Sequence, residues 1–340
     1  MTVREQLAEL GVWPGAQLSL DESVTMASPS WWGADSARWS VRLVDGSPTG
    51  SSVGSSDGSS DGSSDGSSDG RAEPDPVPGT AAFVKVMAPH ARAYVDLDTA
   101  FAAARAAGVA GLGPAVYISD AARGVLVMAD LTGEFGTATV DEFDDPDAVA
   151  RLVALRRAVH GLPALARTAT VFDDIRAAHR LVTAAGGRLP ADLDWMLRML
   201  RPAEARIAAT GYDLVACHGD GNVSNVLVRA ADRALALVDW DCAAMMDPLQ
   251  DLGVLLHEIR PFDVPAREVF EASWGRWDAA LFDRCRVYGI ADCVRWGLVG
   301  RYAGTVEPGT HEYTKFADWQ FLRARAGLRD PHFDDRVRNL

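Results

Sequence analysis

The sequence lacks several features that would place it in a broad class of proteins. Its four cysteines include no C-x-x-C pair, so we expect neither a disulfide framework nor a zinc ribbon, and interpret the thiols as buried in a reducing cytoplasm. No apolar run approaches the ~20 residues of a membrane-spanning helix. Residues 1–6 lack the basic-then-apolar pattern of a signal peptide. We therefore expect a soluble, cytoplasmic protein with no membrane partner.

An excess of basic residues is also missing. The 340 residues carry a formal charge of −14, which argues against nucleic acid as a partner. Part of this charge lies between residues 54 and 75, where six acidic residues accompany one arginine. An acidic body suits a cationic small molecule, although acidity often serves solubility alone. At ~150 residues per domain, the length favours two domains.

A low-complexity segment interrupts the first part of the chain. Four copies of Gly-Ser-Ser-Asp run from Gly54 to Asp69. This composition cannot bury apolar surface, so we interpret residues 46–79 as a flexible insertion. Alternating apolar and polar residues predict strands at Trp39–Val44 and Ala82–Met87, on either side of it. The insertion is therefore expected to join two strands of one domain.

The hydrophobic pattern changes along the chain. Strands dominate the first 130 residues, with one helix predicted at 92–107 and further strands at 115–119 and 124–128. Asp145-Pro146 is a typical helix start. Helices are then predicted at about 146–160, 172–185, 190–209, 248–259, 264–274, 278–303 and 312–327, and short strands at 214–217, 226–228 and 234–238. The predicted fold class is α+β, with a strand-rich lobe at 1–130, a helical lobe at 131–340 and a hinge near 128–131.

The strongest chemical signal is His218-Gly-Asp-Gly-Asn-Val-Ser-Asn225, followed by Val238-Asp-Trp-Asp241. Each motif follows an apolar strand, so Asp220, Asn225 and Asp239 are expected to converge at the strand ends. Two carboxylates and an amide oxygen are hard donors that suit Mg²⁺. Such a set fits phosphoryl transfer, in which one Asp orients and deprotonates a hydroxyl group while the other residues hold metal.

These motifs resemble the signature of the aminoglycoside phosphotransferase and choline/ethanolamine kinase superfamily, and the resemblance extends from about residue 18 to 330. It implies a bilobal protein-kinase-like fold that uses ATP and Mg²⁺. The implied reaction transfers the γ-phosphoryl group to a hydroxyl of a small, amine-bearing acceptor: choline- or ethanolamine-like, an aminosugar or an aminoglycoside. By the same resemblance Asp220 is the catalytic base, Asn225 and Asp239 are metal ligands, and His218 supports the loop.

The resemblance also implies a nucleotide site in the strand-rich lobe. Lys85 would contact phosphates and pair with an acid on the next helix, for which Asp98 is chosen and Asp96 is the competitor. A lysine protecting an edge strand is the alternative reading of Lys85. The other predicted nucleotide contacts are Ser30, Met128 and Asp130.

One departure from the family concerns the loop Ser28-Pro-Ser-Trp-Trp-Gly-Ala-Asp-Ser36. It holds a single glycine where backbone N–H groups are expected to approach phosphate. A catalytically inactive, kinase-like binding protein for a nucleotide or metabolite therefore stays open as the alternative function.

The acceptor site is less clearly marked. Aromatic faces bind quaternary ammonium groups by cation–π attraction, and tryptophans, Trp319 among them, recur in the predicted helical lobe. The residues chosen for acceptor binding are Asp241, Trp274, Trp277 and Trp296. Core packing is the alternative for each tryptophan, and helix capping for Asp241 and Asp247. Asp251 is interpreted as a structural brace of the catalytic loop. No oligomeric state is predicted.

Overall fold

A computed structural model describes residues 9, 17–21, 35–44, 81–309 and 311–340; for residues 17–21, 43 and 44 it describes the backbone alone. Two predicted features lie outside the described residues. They are the loop at 28–34, which includes the predicted nucleotide contact Ser30, and the insertion at 46–79.

The amino-terminal part is a five-stranded antiparallel sheet with the strand order β1-β2-β3-β5-β4. Its strands are β1 (Gln17–Asp21), β2 (Ser36–Val44), β3 (Ala81–Met87), β4 (Val116–Asp120) and β5 (Val125–Ala129). Successive side chains point to opposite faces. Val84 and Val127 lie in a small core on one face, whereas Leu126 and Met128 join the main core on the other. Lys85, opposite Leu126 in the register, shares this second face.

Helix α1 (Leu97–Val109) follows a 3₁₀ turn at Ala91–Ala93. The sequence predicted one continuous helix from residue 92, and the structure divides it. Asp96 is the reason, because its side chain accepts a hydrogen bond from the Thr99 backbone N–H at 3.0 Å and so caps a new helix start. Helix α1 packs into the main core through its buried alanine side chains.

The rest of the chain is mainly helical. Asp145 caps the first of these helices, with Pro146 at its first turn, as the sequence predicted. The helices are α2 (Pro146–Val159), α3 (Val171–Ala184), α4 (Leu193–Thr210), α5 (Pro248–Ile259), α6 (Asp263–Trp274), α7 (Ala279–Val306), α8 (Tyr313–Leu328) and α9 (Phe333–Asn339). This part of the chain also contains two small antiparallel sheets, with the strand orders β6-β8-β9 and β7-β10, which support the loops between the helices. Their strands are β6 (Phe135–Thr137), β7 (Val215–Cys217), β8 (Val226–Arg229), β9 (Leu235–Leu237) and β10 (Ala244–Met246).

Helix α7 is the centre of the helical part and packs against α3, α5 and α8. Its approach to α5 is close because both helices carry glycine at the contact. A Cβ atom on Gly253 would lie 2.3 Å from the Cys285 carbonyl oxygen, and one on Gly289 would lie 2.8 Å from the Gly253 carbonyl oxygen. This contact fixes α5, which supports the loop after β7.

The predicted fold class is confirmed, since a small antiparallel sheet precedes a larger helical part. The sequence missed β6, β10 and α9, each of which is short. All four cysteines are buried free thiols. In the described part of the chain, no helix combines the length and apolar character needed to cross a membrane.

The pairing of β2 with β3 places Arg42 opposite Ala81, so residues 45–80 connect two adjacent antiparallel strands. Deleting residues 51–70 should leave the melting temperature unchanged or slightly raised, because each doubling of loop length costs only about 0.6 kcal/mol. Thermal unfolding followed by circular dichroism checks this. A fall of more than about 5 °C would show that the segment contributes contacts to the folded protein.

Candidate active site

The loop that follows β7, residues 218–225, is shaped by two glycines. Gly219 has φ +76°, and a Cβ atom there would lie 2.5 Å from the Cys242 carbonyl oxygen. At Gly221 a Cβ atom would lie 2.3 Å from the Val254 carbonyl oxygen of α5. Only glycine allows the loop to pass between the 239–243 segment and α5 at these distances.

Asp251 of α5 holds this loop in place by hydrogen bonds. Its Oδ1 accepts hydrogen bonds from the Gly219 N–H at 2.8 Å and from Arg156 Nη1 at 3.1 Å, and His160 Nε2 lies 3.1 Å from Oδ2. Arg156 also donates to the Asp220 carbonyl oxygen. Burial would raise the pKa of Asp251, but the Arg156 guanidinium and the His160 contact outweigh burial and hold that pKa well below its ordinary range. The geometry agrees with the bracing role interpreted from the sequence.

Asp220 is held at both carboxylate oxygens. Oδ1 accepts from the Asn222 N–H at 2.8 Å, and Oδ2 accepts from Asn225 Nδ2 at 3.0 Å. Burial raises the pKa of Asp220 to about 7, because the charged form loses hydration. The carboxylate is therefore oriented and more basic than an exposed aspartate.

His218 connects the two sequence motifs. Its Nε2 lies 2.9 Å from the Val238 carbonyl oxygen, and its ring meets Trp240 edge to face at 4.7 Å. Burial, with the nearby Arg156 charge, lowers the pKa of His218 to about 4. A neutral ring donates its Nε2–H to Val238, so His218 holds the loops together.

Lys85 of β3 reaches the loop after β9. Its Nζ donates to Asp239 Oδ1 at 2.6 Å and to both Asp241 oxygens at 2.9 Å. Carboxylate atoms of Asp35, Asp239 and Asp241 lie within 4.8 Å of one another. Asp239 has φ +65°, an uncommon conformation for a non-glycine residue that often marks a functional site.

The charges in this cluster depend on one another. Burial disfavours the Lys85 ammonium, yet Asp239, Asp241 and Asp35 keep its pKa above the ordinary value. Burial also acts on Asp239, but Lys85 and Arg38 outweigh it and lower the pKa of that carboxyl. Asp239 is therefore ionised at neutral pH.

The predicted pair between Lys85 and Asp98 is wrong. Asp98 is exposed in the first turn of α1, and Asp96 caps that helix, so neither side chain is a hydrogen-bond partner of Lys85 within the described residues. The helix begins five residues later than predicted, which places Asp98 at its N-terminus. There an acidic side chain is favourable beside the helix dipole.

A cavity of about 110 Å³, here the cleft cavity, lies beside the β3–β5 part of the sheet. Apolar side chains such as Phe83, Phe135 and Leu227 line it. It also brings together the predicted nucleotide and metal residues Lys85, Met128, Asp130, Asn225 and Asp239. The Thr132 N–H donates to Asp130 at 2.9 Å, and Ser40 donates to the other oxygen, so this carboxylate is fixed at the cavity edge.

A second cavity of about 200 Å³, here the aromatic cavity, includes Asp220 in its lining. Its aromatic and acidic side chains are Trp296, Phe316, Trp319, Glu258 and Asp292. Asp220 lines this cavity, whereas Lys85, Asn225 and Asp239 line the cleft cavity. The loop therefore presents its groups to two separate spaces.

The tryptophans chosen from the sequence are divided by the structure. Trp296 lines the aromatic cavity, but Trp274 and Trp277 do not. Those two pack on Phe270, with ring centroids 6.3 and 5.9 Å away. Helical spacing cannot distinguish an aromatic face that packs on a neighbour from one that faces a cavity.

Asp241 also lies outside the aromatic cavity. Its carboxylate is bonded to Lys85, and it lines a third cavity of about 300 Å³, which includes Tyr94, Asp174 and Arg295. Its contact in the structure is therefore with Lys85.

Sequence reasoning missed other residues of the site. Asp292, Phe316 and Arg323 line the aromatic cavity, at helical i+3, i+4 or i+7 spacing from Trp296 or Trp319 or from one another. That spacing was the available signal. Asp35, at the start of β2, carried no such signal.

The fold and the site geometry are those of a small-molecule kinase. The chain belongs to the phosphotransferase enzyme family, whose model matches residues 76–288.

Solved structures give the same picture. A choline/ethanolamine kinase family protein from Mesorhizobium loti is 26% identical, with a TM-score of 0.64 over 77% of this chain and 87% of that one. The choline kinase LicA from Streptococcus pneumoniae is 19% identical, with a TM-score of 0.62 over 73% and 86%; LicA has also been solved with AMP. Macrolide 2'-phosphotransferase MphH from Brachybacterium faecium is 16% identical, with a TM-score of 0.51 over 96% and 99%. No curated protein matched the chain.

Replacing Asp251 with Asn should destabilise the protein by about 3–5 kcal/mol at pH 7, because Arg156 would stay buried without its counter-ion. The folded pKa of Asp251 lies below its unfolded value of about 3.9, so its contribution is present above that pH and is lost as the pH falls further. Denaturant unfolding of wild type and variant should therefore show a difference that narrows below about pH 4.

Asp334→Asn is the matched control, since Asp334 is an exposed acid on α9. This variant should unfold like wild type. A loss under about 1 kcal/mol for Asp251→Asn, or a difference that does not vary with pH, would contradict the bracing role.

Proposed function

We propose that this kinase transfers the γ-phosphoryl group of ATP, with Mg²⁺, to a hydroxyl group of a small, amine-bearing acceptor. The division of polar groups between two cavities carries the proposal. Lys85, Asn225 and Asp239 line the cleft cavity, and Asp220 lines the aromatic cavity. Phosphoryl transfer uses groups in these two roles, because cations meet the phosphates while a base meets the attacking hydroxyl.

The cleft cavity is the proposed nucleotide site. Its apolar walls suit a base, and Met128 and Asp130 lie at its hinge side. Lys85 would donate to the phosphates. The structure of LicA with AMP supports nucleotide binding in this fold. The choice of ATP over another nucleoside triphosphate is part of the proposal.

Asn225 and Asp239 fit a magnesium ion. An ionised carboxylate and an amide oxygen are the donors that this hard cation prefers, and Lys85 and Arg38 keep the pKa of Asp239 low even though it is buried. The amide nitrogen of Asn225 already donates to Asp220, which directs its oxygen elsewhere. Bound Mg²⁺ would neutralise phosphate charge at this position.

Asp220 is the proposed general base. Its two hydrogen bonds fix the carboxylate, and burial raises its pKa to about 7, nearer to the pH at which it would accept a proton. His218 keeps the loop in place without reacting.

The aromatic cavity is the proposed acceptor site. Trp296 and Trp319 line it, together with the carboxylates Glu258 and Asp292, which are paired with Arg323 and Arg295. This combination attracts a cationic amine. The likeness to the choline/ethanolamine kinase family protein supports a choline- or ethanolamine-like acceptor, and aminosugars and aminoglycosides carry the same chemistry.

Two further expectations belong to this proposal. The boundary between a nucleotide-binding lobe and an acceptor-binding lobe is placed at residue 130, after β5, and the reaction is placed in the cytoplasm. The alternative of an inactive binding protein is disfavoured, because the chain belongs to a phosphotransferase family and retains Asp220, Asn225 and Asp239.

Asp220→Asn should lower kcat about 10²- to 10⁴-fold, because the variant keeps the size of the side chain but cannot accept the proton. Nucleotide affinity should stay at the wild-type value, since Asp220 faces the other cavity. Steady-state kinetics and calorimetry measure the two quantities. Full turnover in the variant would contradict the assigned role.

Trp319→Ala should raise KM for a cationic acceptor about 2- to 30-fold, which corresponds to one lost cation–π contact. Trp277→Ala is the matched control, because Trp277 is also partly exposed but packs against Phe270 and Arg267. Kinetics with both variants separate the two sites. Equal changes in KM would argue against the aromatic cavity as the acceptor site.

A further inference from the structure

The partner of Lys85 is the least expected feature of the site. A kinase lysine acts on phosphates when a neighbouring carboxylate holds its amine in place, and a helix residue supplies that carboxylate in protein kinases. In this protein α1 does not supply it, because Asp98 is exposed and Asp96 caps the helix.

Asp241 occupies the position of such a partner. Both of its oxygens accept hydrogen bonds from Lys85 Nζ at 2.9 Å, and its side chain is 12% exposed. We propose that Asp241 is the positioning residue that holds Lys85 on the nucleotide phosphates, in place of a helix carboxylate. This inference rests on the proposed function, because it concerns the same nucleotide.

The two other carboxylates of the cluster are less suited to this role. Asp239 contacts Lys85 through one oxygen, is 24% exposed and lines the cleft cavity with Asn225, where a cation would engage it. Asp35 bonds instead to Ser36 at 3.2 Å and Arg38 at 3.5 Å. Asp241 does not line the cleft cavity in the described structure. It therefore stays hydrogen-bonded to Lys85 when Asp239 binds a cation.

The remaining acids of the cluster allow the Lys85 amine to change its position without losing its charge. Without the Asp241 carboxylate, the ionised Asp239 still lies beside the ammonium and keeps it protonated. Removing Asp241 should therefore displace the amine without neutralising it.

Calorimetric binding of ATP, ADP and adenosine, each with and without Mg²⁺, tests the inference. Asp241→Asn should weaken ATP and ADP about 10- to 100-fold in both conditions, the range of a lost charged hydrogen bond. Adenosine should bind as in wild type, because Lys85 contacts only phosphates. Asp98→Asn is the matched control and should bind all three ligands like wild type.

Each other outcome is decisive. A loss confined to Mg²⁺-containing samples would make Asp241 a cation ligand and overturn the inference, as would wild-type affinity in Asp241→Asn or a loss in Asp98→Asn. Failure of wild type to bind ATP with Mg²⁺ would instead overturn the proposed function.

Amine labelling gives a second readout that needs no nucleotide. The chain has two lysines, Lys85 and Lys315, and Lys315 is 67% exposed. The displaced amine should be more accessible at an unchanged charge, so mass spectrometry after brief acylation should show that Lys85 reacts several-fold faster in Asp241→Asn, relative to Lys315. An unchanged ratio would contradict the inference.

If Asp241→Asn does not fold, the single variant Lys85→Met is compared with the double variant Lys85→Met/Asp241→Asn. Neither variant leaves a buried ammonium group without its carboxylate partner. The two should bind ATP equally, because Asp241 has nothing to position once Lys85 is gone. Weaker binding by the double variant would overturn the inference.

Discussion

One buried ammonium group joins the two parts of this protein. Lys85 comes from the sheet, whereas Asp239 and Asp241 come from the loop after β9, and Asp35 approaches from the start of β2. Buried charges are tolerated only when they are paired and hydrogen-bonded. The position of β3 relative to the helical part therefore depends on these contacts, and so does the shape of the cleft between them.

The helical part supports the loop of residues 218–225. Close contact between α5 and α7 at Gly253 and Gly289 fixes α5, and Asp251 of α5 holds the Gly219 N–H and Arg156. The loop then leaves Asp220 in one cavity and Asn225 in the other. Packing far from the site thus determines which side chain lines which cavity.

Local chemistry explains what could be predicted from the sequence. Strand alternation, the Asp145-Pro146 helix start and the two aspartate motifs depend on neighbouring residues. The change from strands to helices could therefore be predicted, and Asp220, Asn225 and Asp239 could be proposed as site residues. The partner of Lys85 could not, because it depends on where α1 begins and on how the 239–241 loop meets β3. The packing of Trp274 and Trp277 on Phe270 could not be predicted for a similar reason, since tertiary packing decides which face of a helix borders a cavity.

The central claim is transfer of a phosphoryl group to an amine-bearing alcohol, and product analysis tests it most directly. The protein is incubated with ATP and Mg²⁺ and a panel of amino alcohols, aminosugars and aminoglycosides, each beside an uncharged alcohol of similar size. Phosphorus NMR should detect a new phosphate ester on an amine-bearing member, dependent on Mg²⁺. Transfer confined to the uncharged alcohols, or equally fast without a divalent cation, would contradict the account.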